Sequence, residues 1–380
     1  MRGLGRRVRV VLLVGLAAVC VVLFPAVGSA DDTSPGAVVG VAELPQGIWV
    51  PGSADAKRLT YWSSGPSGRA LSSGAVYLPG GTPPPGGWPV VAWAHGTVGL
   101  GDQCAYSVRG PSLPERDYPY LATWLAKGYA IVASDYVGLG TSGPTHYLNG
   151  VVEAHSVVDM VKASTSTFPA LSKKWVVIGQ SQGAGAAMAV ARNATSFGGP
   201  ELDYRGAVAT GVPAYIENIV ATVGPGVPPV SVGSSLNTYL LFILSGLRAT
   251  YPELNIDSIL TPHGKALVDL ADDSCYDAFS AAVGGVPVGS LFTRPLASIP
   301  GIGPILESYM GIPESGYDRP FFVGQGLTDV DVPPPTTLAL AARMTANNQP
   351  LTFRVYPGDH DAAMLASLTD TVPFVERLFA

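Results

Sequence analysis

The chain has 380 residues, a formal net charge of −6 from 22 Lys and Arg against 28 Asp and Glu, and 47% hydrophobic residues. A charged fraction of 13% beside so much apolar sequence excludes a disordered chain, and the length allows one large domain with an insertion. The acidic balance excludes a nucleic-acid binder built on a basic surface, and 46 Gly with 34 Pro scattered among apolar runs imply many turns and loops.

At the N-terminus Arg2, Arg6, Arg7 and Arg9 precede an apolar run over 10–24, which Pro25 ends and the small residues Gly28, Ser29 and Ala30 follow. This pattern predicts an export signal over 1–30, cleaved after about Ala30. A retained anchor is the weaker reading, because the run falls short of the ~20 residues a bilayer span needs. The mature chain is therefore expected to be extracellular, free in solution or held at the envelope, with no transmembrane segment. Removing four arginines and no acid takes the formal charge from −6 to −10. Cys104 and Cys275 remain after cleavage, and an oxidising destination predicts that they pair.

Residues 31–51 read as an irregular leader, followed by strand-like pieces over 59–62 and 70–78 and a Gly/Pro-rich turn over 80–87. Short β-branched or apolar runs over 90–94, 129–134, 175–179, 207–210, 321–325 and 351–356 read as buried strands. Helical patterns lie between several of them, over 118–127, 151–165, 183–193 and 336–347. Such alternation predicts a mainly parallel sheet covered on both faces by helices. The interval from 211 to 318 breaks the rhythm, since connections within such units are short. Apolar residues at helical spacing over 236–247, 264–272 and 276–283 predict a mostly helical cap there. The expected organisation is a signal over 1–30, a core over 31–210 and 319–380, and a cap inserted over 211–318.

The sharpest motif runs Trp175-Val-Val-Ile-Gly179-Gln180-Ser181-Gln182-Gly183-Ala-Gly185, a strand entering G-x-S-x-G and leading into a helix. In that context the chain reverses so tightly that only small residues fit beside the serine, and its side chain is pushed above the sheet edge. The helix N-terminus adds a dipole that favours developing negative charge. Ser181 is accordingly the candidate nucleophile. A serine hydroxyl is a weak nucleophile and needs an imidazole to take its proton and a carboxylate to orient that imidazole. Of the five histidines, only His360 follows the last expected strand. His95 sits just after the 90–94 strand, His146 and His155 lie in or near the turn before a helix, and His263 belongs to the cap. Structural hydrogen bonding or exposure is expected of those four, and none has metal-site spacing.

The orienting acid is expected after the 321–325 strand, where Asp329 and Asp331 both lie. Asp329 is preferred because it comes first after the strand and turn. Asp359 and Asp361 adjoin His360, but immediate neighbours point apart, so both read as solvated loop carboxylates. Acyl transfer also needs two N–H donors at the oxyanion. The backbone of Gln182 is one candidate, and Thr97, with Gly96 as the alternative, supplies the other from the loop after the 90–94 strand. Asp135 precedes the nucleophile and reads as a structural residue capping its own Gly-rich turn. The sequon Asn193-Ala-Thr195 falls on the helix behind the nucleophile and reads as chance, with a buried asparagine.

The order Ser181, Asp329, His360 is that of the α/β-hydrolases. With the elbow, Asp135-Tyr-Val-Gly-Leu-Gly140, Tyr251-Pro-Glu-Leu, Leu260-Thr-Pro-His-Gly264, Gly326-x-x-Asp329-x-x-Val332-Pro333 and Tyr356-Pro-Gly-Asp-His360, nearly the whole mature chain resembles the secretory lipases of fungi and actinobacteria. The resemblance implies an α/β-hydrolase fold, the triad Ser181, Asp329 and His360, a helical cap over the acyl site and a disulfide from Cys104 to Cys275 in the cap. It also implies a lipid ester as substrate, contact of the cap with a lipid interface, and no cofactor or metal. The expected activity is hydrolysis of carboxylic esters. Acyl transfer to an alcohol on the same scaffold, or a silent lipid-binding surface protein, are the competing readings.

Overall fold

A computed structural model describes residues 32–227 and 233–380, and the export leader expected over 1–30 lies outside them. Among the described residues the nine strands are β1 (Val38–Glu43), β2 (Ser53–Gly65), β3 (Gly68–Pro79), β4 (Trp88–Ala94), β5 (Ala130–Ser134), β6 (Leu171–Gln180), β7 (Asp203–Thr210), β8 (Phe321–Gly326) and β9 (Leu351–Tyr356). They form one sheet in the order β1-β2-β3-β5-β4-β6-β7-β8-β9. Strands β1 to β3 and the β3–β5 junction pair antiparallel, and every other junction is parallel. The mainly parallel sheet expected from the alternation is present.

Twelve helices join the strands among the described residues. They are α1 (Tyr106–Arg109), α2 (Pro114–Ala126), α3 (Gly150–Thr167), α4 (Gln182–Gly198), α5 (Ile216–Ala221), α6 (Gly233–Thr250), α7 (Pro262–Ala271), α8 (Tyr276–Val283), α9 (Ile302–Met310), α10 (Pro334–Ala346), α11 (His360–Ala366) and α12 (Leu368–Phe379). Because successive strand side chains point to opposite faces, β4 sends Val90 and Ala92 into one layer and Val91 and Trp93 into the other. Helices α3, α4 and α10 contribute to the first layer through Val157, Met188 and Leu340. Helices α2, α11 and α12 contribute to the second through Trp124, Met364 and Phe374. A strand buried on both faces must be apolar throughout, which is why the central runs of β4 to β8 are so strongly apolar.

Three local readings change. Residues 38–43, expected to be irregular, form the edge strand β1; Val39 and Val41 remain exposed, so the strand lacks the one-sided burial that sequence patterning detects. Strands β2 and β3 run far beyond the expected pieces as one long hairpin whose polar ends are held by pairing rather than burial. Strand β9, expected to be buried, is the opposite edge strand and leaves Arg354 and Val355 exposed. Within α3, inside the helix expected over 151–165, the His155 ring stacks on Phe197 at 3.7 Å between centroids.

Between β7 and β8 the chain folds α5 to α9 around a separate apolar cluster that includes Leu241, Phe242, Leu244, Phe279 and Leu306. Leu100, Tyr147 and Leu148 enter this cluster from loops of the sheet layer, so the two parts share an apolar seam. Cys104 and Cys275 are bonded across that seam, as expected, over a sequence separation of 171 residues. Beside the bond Leu100 N–H donates to Ser274 O at 3.0 Å and Tyr276 N–H to Val98 O at 2.9 Å, extending the tie to the backbone. Closing so long a loop restricts the unfolded chain and contributes about 5 kcal/mol on the chain-entropy account. Replacing both cysteines with serine is expected to lower the melting temperature on the order of 5 °C or more. Calorimetry of the double variant checks this, and an unchanged melting temperature would show that the bridge does not restrain the fold.

Candidate active site

Strand β6 ends at Gln180 beside Thr210 of β7, and its Gly179 lies beside Ala94 of β4. There the chain turns into α4 through Ser181, which holds φ 60° and ψ −123°. This is a left-handed conformation that costs a non-glycine residue on the order of 1–3 kcal/mol. Two glycines make the turn sterically feasible. A Cβ on Gly179 would stand 1.9 Å from Gly183 O, and one on Gly183 would stand 1.9 Å from Ala94 O. Ser181 is the N-cap of α4, yet its side chain makes no capping bond and opens into a cleft.

His360 begins α11, with Asp359 capping the helix by accepting from Ala362 N–H at 2.9 Å. Its Nδ1 is 2.7 Å from Asp329 Oδ2, with both side chains buried. A carboxylate only accepts, so the proton on this ring sits on Nδ1 and the lone pair on Nε2. Nε2 is buried and makes no hydrogen bond, and the ring lines the same cleft as Ser181. Asp329 is held in turn: Oδ1 accepts from the N–H groups of Asp331 at 3.0 Å and Val332 at 2.8 Å, and Gln325 Nε2 donates to Oδ2 at 3.3 Å. Asp331 instead faces the interval between β7 and β8, where Tyr239 OH donates to its Oδ1 at 3.3 Å.

The loop after β4 passes against the nucleophile. A Cβ on Gly96 would stand 3.3 Å from Gln180 O and 3.6 Å from Ser181 Cβ. Thr97 follows in the cleft wall, its Oγ1 2.6 Å from Tyr147 OH. The candidates Ser181, Asp329, His360, Thr97 and Gln182 thus gather at the carboxyl ends of β4, β6 and β8. The four other histidines stand apart in role. His95 is buried between Tyr106 and Tyr136, its Nδ1 2.7 Å from Gly96 O, and burial lowers its pKa. His146 Nδ1 is 2.8 Å from Thr250 Oγ1, and burial brings its pKa to about 4. Burial also lowers that of His155, while His263 is exposed.

Several residues take roles that differ from the sequence reading. Asp135 is structural, but it does not cap its own turn; it accepts from Ser73 Oγ at 2.6 Å and from Ser107 N–H at 2.8 Å, joining β3 to α1. Asp361 is half-exposed yet ion-paired, its Oδ1 2.7 Å from Nη1 of the buried Arg116. Asn193 is only partly buried and donates to Ala189 O at 2.8 Å.

Four site residues escaped sequence reasoning. Arg116 lines the cleft and bonds Asp117 as well as Asp361. Burial works against its charge, but those carboxylates hold it protonated. Gln180 donates from Nε2 to His360 O at 2.9 Å, so the residue before the nucleophile also fixes the histidine. Tyr147 steadies Thr97, and Glu153 of α3 accepts from Gln182 Nε2 at 2.7 Å. Of these, Glu153 left a trace in the sequence, a carboxylate in the apolar stripe of α3 beside Val157 and Val161.

A sheet that ends its central strand in a strained serine turn, and returns an aspartate-bound histidine after its last strand, is the α/β-hydrolase fold anticipated from the motif order. Residues 114–288 match the family described as Secretory lipase, a stretch that includes Ser181 and Gln182 and stops before Asp329 and His360. The resemblance read from the motifs holds, and the chain is a carboxylic ester hydrolase as that resemblance implied. Among solved structures it is similar to Candida antarctica lipase A in its closed state, at 21% identity and TM-score 0.76 over 91% of this chain and 83% of that one. It is similar to the rice cell wall degrading esterase LipA from Xanthomonas oryzae, at 20% identity and TM-score 0.71 over 90% and 97%. A putative hydrolase from Legionella pneumophila matches at 20% identity and TM-score 0.72 over 90% and 96%. At these identities the likeness speaks for the fold. No curated protein sequence matches the chain.

Glu153 gives this site a pH signature. Burial pushes its pKa from 4.5 up to about 8, against the opposing hydrogen bonds from Gln182 and Leu148. Between these values the folded chain keeps a proton that the unfolded chain has released, so stability falls as pH rises through the window and levels off above it. Glu153→Gln removes the titration. Its melting temperature relative to wild type should therefore climb from pH 5 to pH 8, and a difference constant across that range would contradict the buried neutral carboxyl.

Proposed function

We propose that the chain is a secreted serine hydrolase of lipid esters that works through an acyl-enzyme on Ser181. The observation that carries this reading is the buried Asp329–His360 pair, 2.7 Å apart, whose imidazole has an unpartnered Nε2 and lines the cleft that holds Ser181 on its left-handed turn. His360 Nε2 takes the hydroxyl proton as Ser181 Oγ attacks the ester carbonyl, and Asp329 stabilises the resulting imidazolium. The N–H groups of Gln182 and Thr97 receive the negative charge on the carbonyl oxygen, each worth roughly 3 kcal/mol in such sites. Collapse of the tetrahedral species breaks the bond to the alcohol, which leaves with the proton from His360. Water then repeats the attack on the acyl-enzyme with His360 as base, releasing the acid and restoring Ser181. An imidazole-to-serine contact that forms only when substrate arrives is common in resting hydrolases.

The segment 211–318 acts as the cap. Tyr239 of α6 and Tyr276 of α8 stack over the cleft with ring centroids 5.9 Å apart, and Tyr239 reaches Asp331. The cleft beneath them has a volume of about 90 Å³, well below the several hundred that drug-sized ligands fill. A lipid acyl chain therefore requires Tyr239 of α6 to move away from Asp331, since the disulfide and the Tyr276 N–H bond to Val98 O hold the start of α8 in place. The apolar cluster of the cap supports medium to long chains as the preferred acyl group. Among the described residues no helix is long and apolar enough to cross a membrane.

Two measurements test this. A serine-directed organophosphonate should label Ser181 alone, and mass spectrometry placing the label elsewhere, or finding none, would falsify the nucleophile assignment. Across glycerol and p-nitrophenyl esters of increasing chain length, kcat/KM should peak at medium or long acyl chains. A sharp preference for acetate would leave the esterase and remove the lipid.

A further inference from the structure

Helix α3 buries a carboxyl that the proposed reaction does not use. Glu153 is 1% exposed, and its Oε1 accepts from Gln182 Nε2 at 2.7 Å and from Leu148 N–H at 3.1 Å, while its Oε2 has no hydrogen-bond partner. The two donors belong to the two halves of the proposed oxyanion hole. Gln182 carries one of the N–H groups itself. Leu148 follows Tyr147, whose hydroxyl lies 2.6 Å from Oγ1 of Thr97, which carries the other.

The Tyr147-Leu148 step does not hold its shape by local preference. Leu148 has φ 63°, a left-handed conformation that a branched side chain disfavours, so its neighbours must impose it. They do so from two sides: Glu153 takes the Leu148 N–H, and Tyr309 OH of α9 donates to Tyr147 O at 2.8 Å. Helix capping accounts for only part of what Glu153 does. The cap of α3 is Asn149, which accepts from Val152 N–H at 3.3 Å. A capping role would explain the bond to Leu148 but not the shorter one to Gln182, which ties α3 to the first residue of α4.

We propose that Glu153 is the positioning residue of the oxyanion hole, a single carboxyl oxygen that sets the spacing of the Gln182 and Thr97 N–H groups by holding Gln182 on one side and the Tyr147-Leu148 segment on the other. The inference rests on the assignment of Ser181, Gln182 and Thr97 above. It also links the cap to catalysis, since Tyr309 grips the same segment. A displaced donor pair weakens charge stabilisation in the transition state and leaves ground-state binding largely intact, so kcat carries the effect and KM does not.

The test uses the full chain, p-nitrophenyl ester kinetics, thermal melting and phosphonate labelling. Glu153→Leu and Gln182→Ala, the latter keeping its backbone N–H, should each lower kcat about tenfold to hundredfold with KM within about twofold. Tyr147→Phe should lower kcat in the same manner. Glu153→Gln, whose amide oxygen accepts both bonds, should stay within about threefold of wild type, and Glu153→Leu combined with Gln182→Ala should fall little below Glu153→Leu alone. Wild-type kcat in Gln182→Ala and Tyr147→Phe overturns the proposal, even where Glu153→Leu melts early or fails to fold, because the carboxyl then serves only the fold. A wild-type protein whose Ser181 resists the phosphonate brings down the reading of the site itself. Labelled Ser181 with unmoved kcat in the variants removes the role of Glu153 alone.

Discussion

The close approach of α4 to the end of β4 is the contact on which the site depends. Gly183 lies so near Ala94 O that no side chain fits between them, and Gly179 lies equally near Gly183 O. The helix can therefore start immediately after the strand, at the cost of a left-handed serine. Three consequences follow from this one junction. The Ser181 side chain is left uncommitted at a helix N-terminus. The Gly96-Thr97 loop, which leaves β4 at the same point, comes to rest against it. Gln180, the last residue of β6, is brought beneath α11, where it holds the backbone of His360.

Around this junction the protein handles three buried carboxyls differently. Asp329 is surrounded by donors: two backbone N–H groups, one glutamine amide and the imidazole. Asp117 is pushed up by burial and pulled back by Arg116. Glu153 has donors on one oxygen only, and burial there wins. The difference is one of supply: a carboxylate stays charged inside a protein only when enough N–H groups or cations converge on it.

The segment between β7 and β8 has a core of its own yet is tied to the sheet layer at several places, among them the His146 bond to Thr250 at the end of α6. The disulfide and the backbone bonds beside it fix α8 to the loop after β4, Tyr309 fixes α9 to the Tyr147-Leu148 step, and Tyr239 reaches the loop between Asp329 and Val332. The bridge and the Tyr309 tie involve a covalent bond or a buried hydrogen bond. The Tyr239 tie is a long hydrogen bond of 3.3 Å at the cleft mouth.

What the sequence by itself determined was whatever is written in short range. The elbow glycines are demanded by backbone sterics within five residues, the continuous apolar runs by burial on both sheet faces, and the order of serine, aspartate and histidine by the turns that follow successive strands. The partnership of Cys104 with Cys275 followed from there being just two cysteines beyond the expected leader. Tertiary structure decided the rest. Asp329 meets His360, held by the donors its neighbours supply, whereas Asp331 turns toward Tyr239. Asp361 found Arg116 from 245 residues away, and Glu153 found Gln182 across a helix pair. No periodicity or motif encodes such meetings, because the energy of a buried polar group depends on which donors the fold brings within about 3 Å of it.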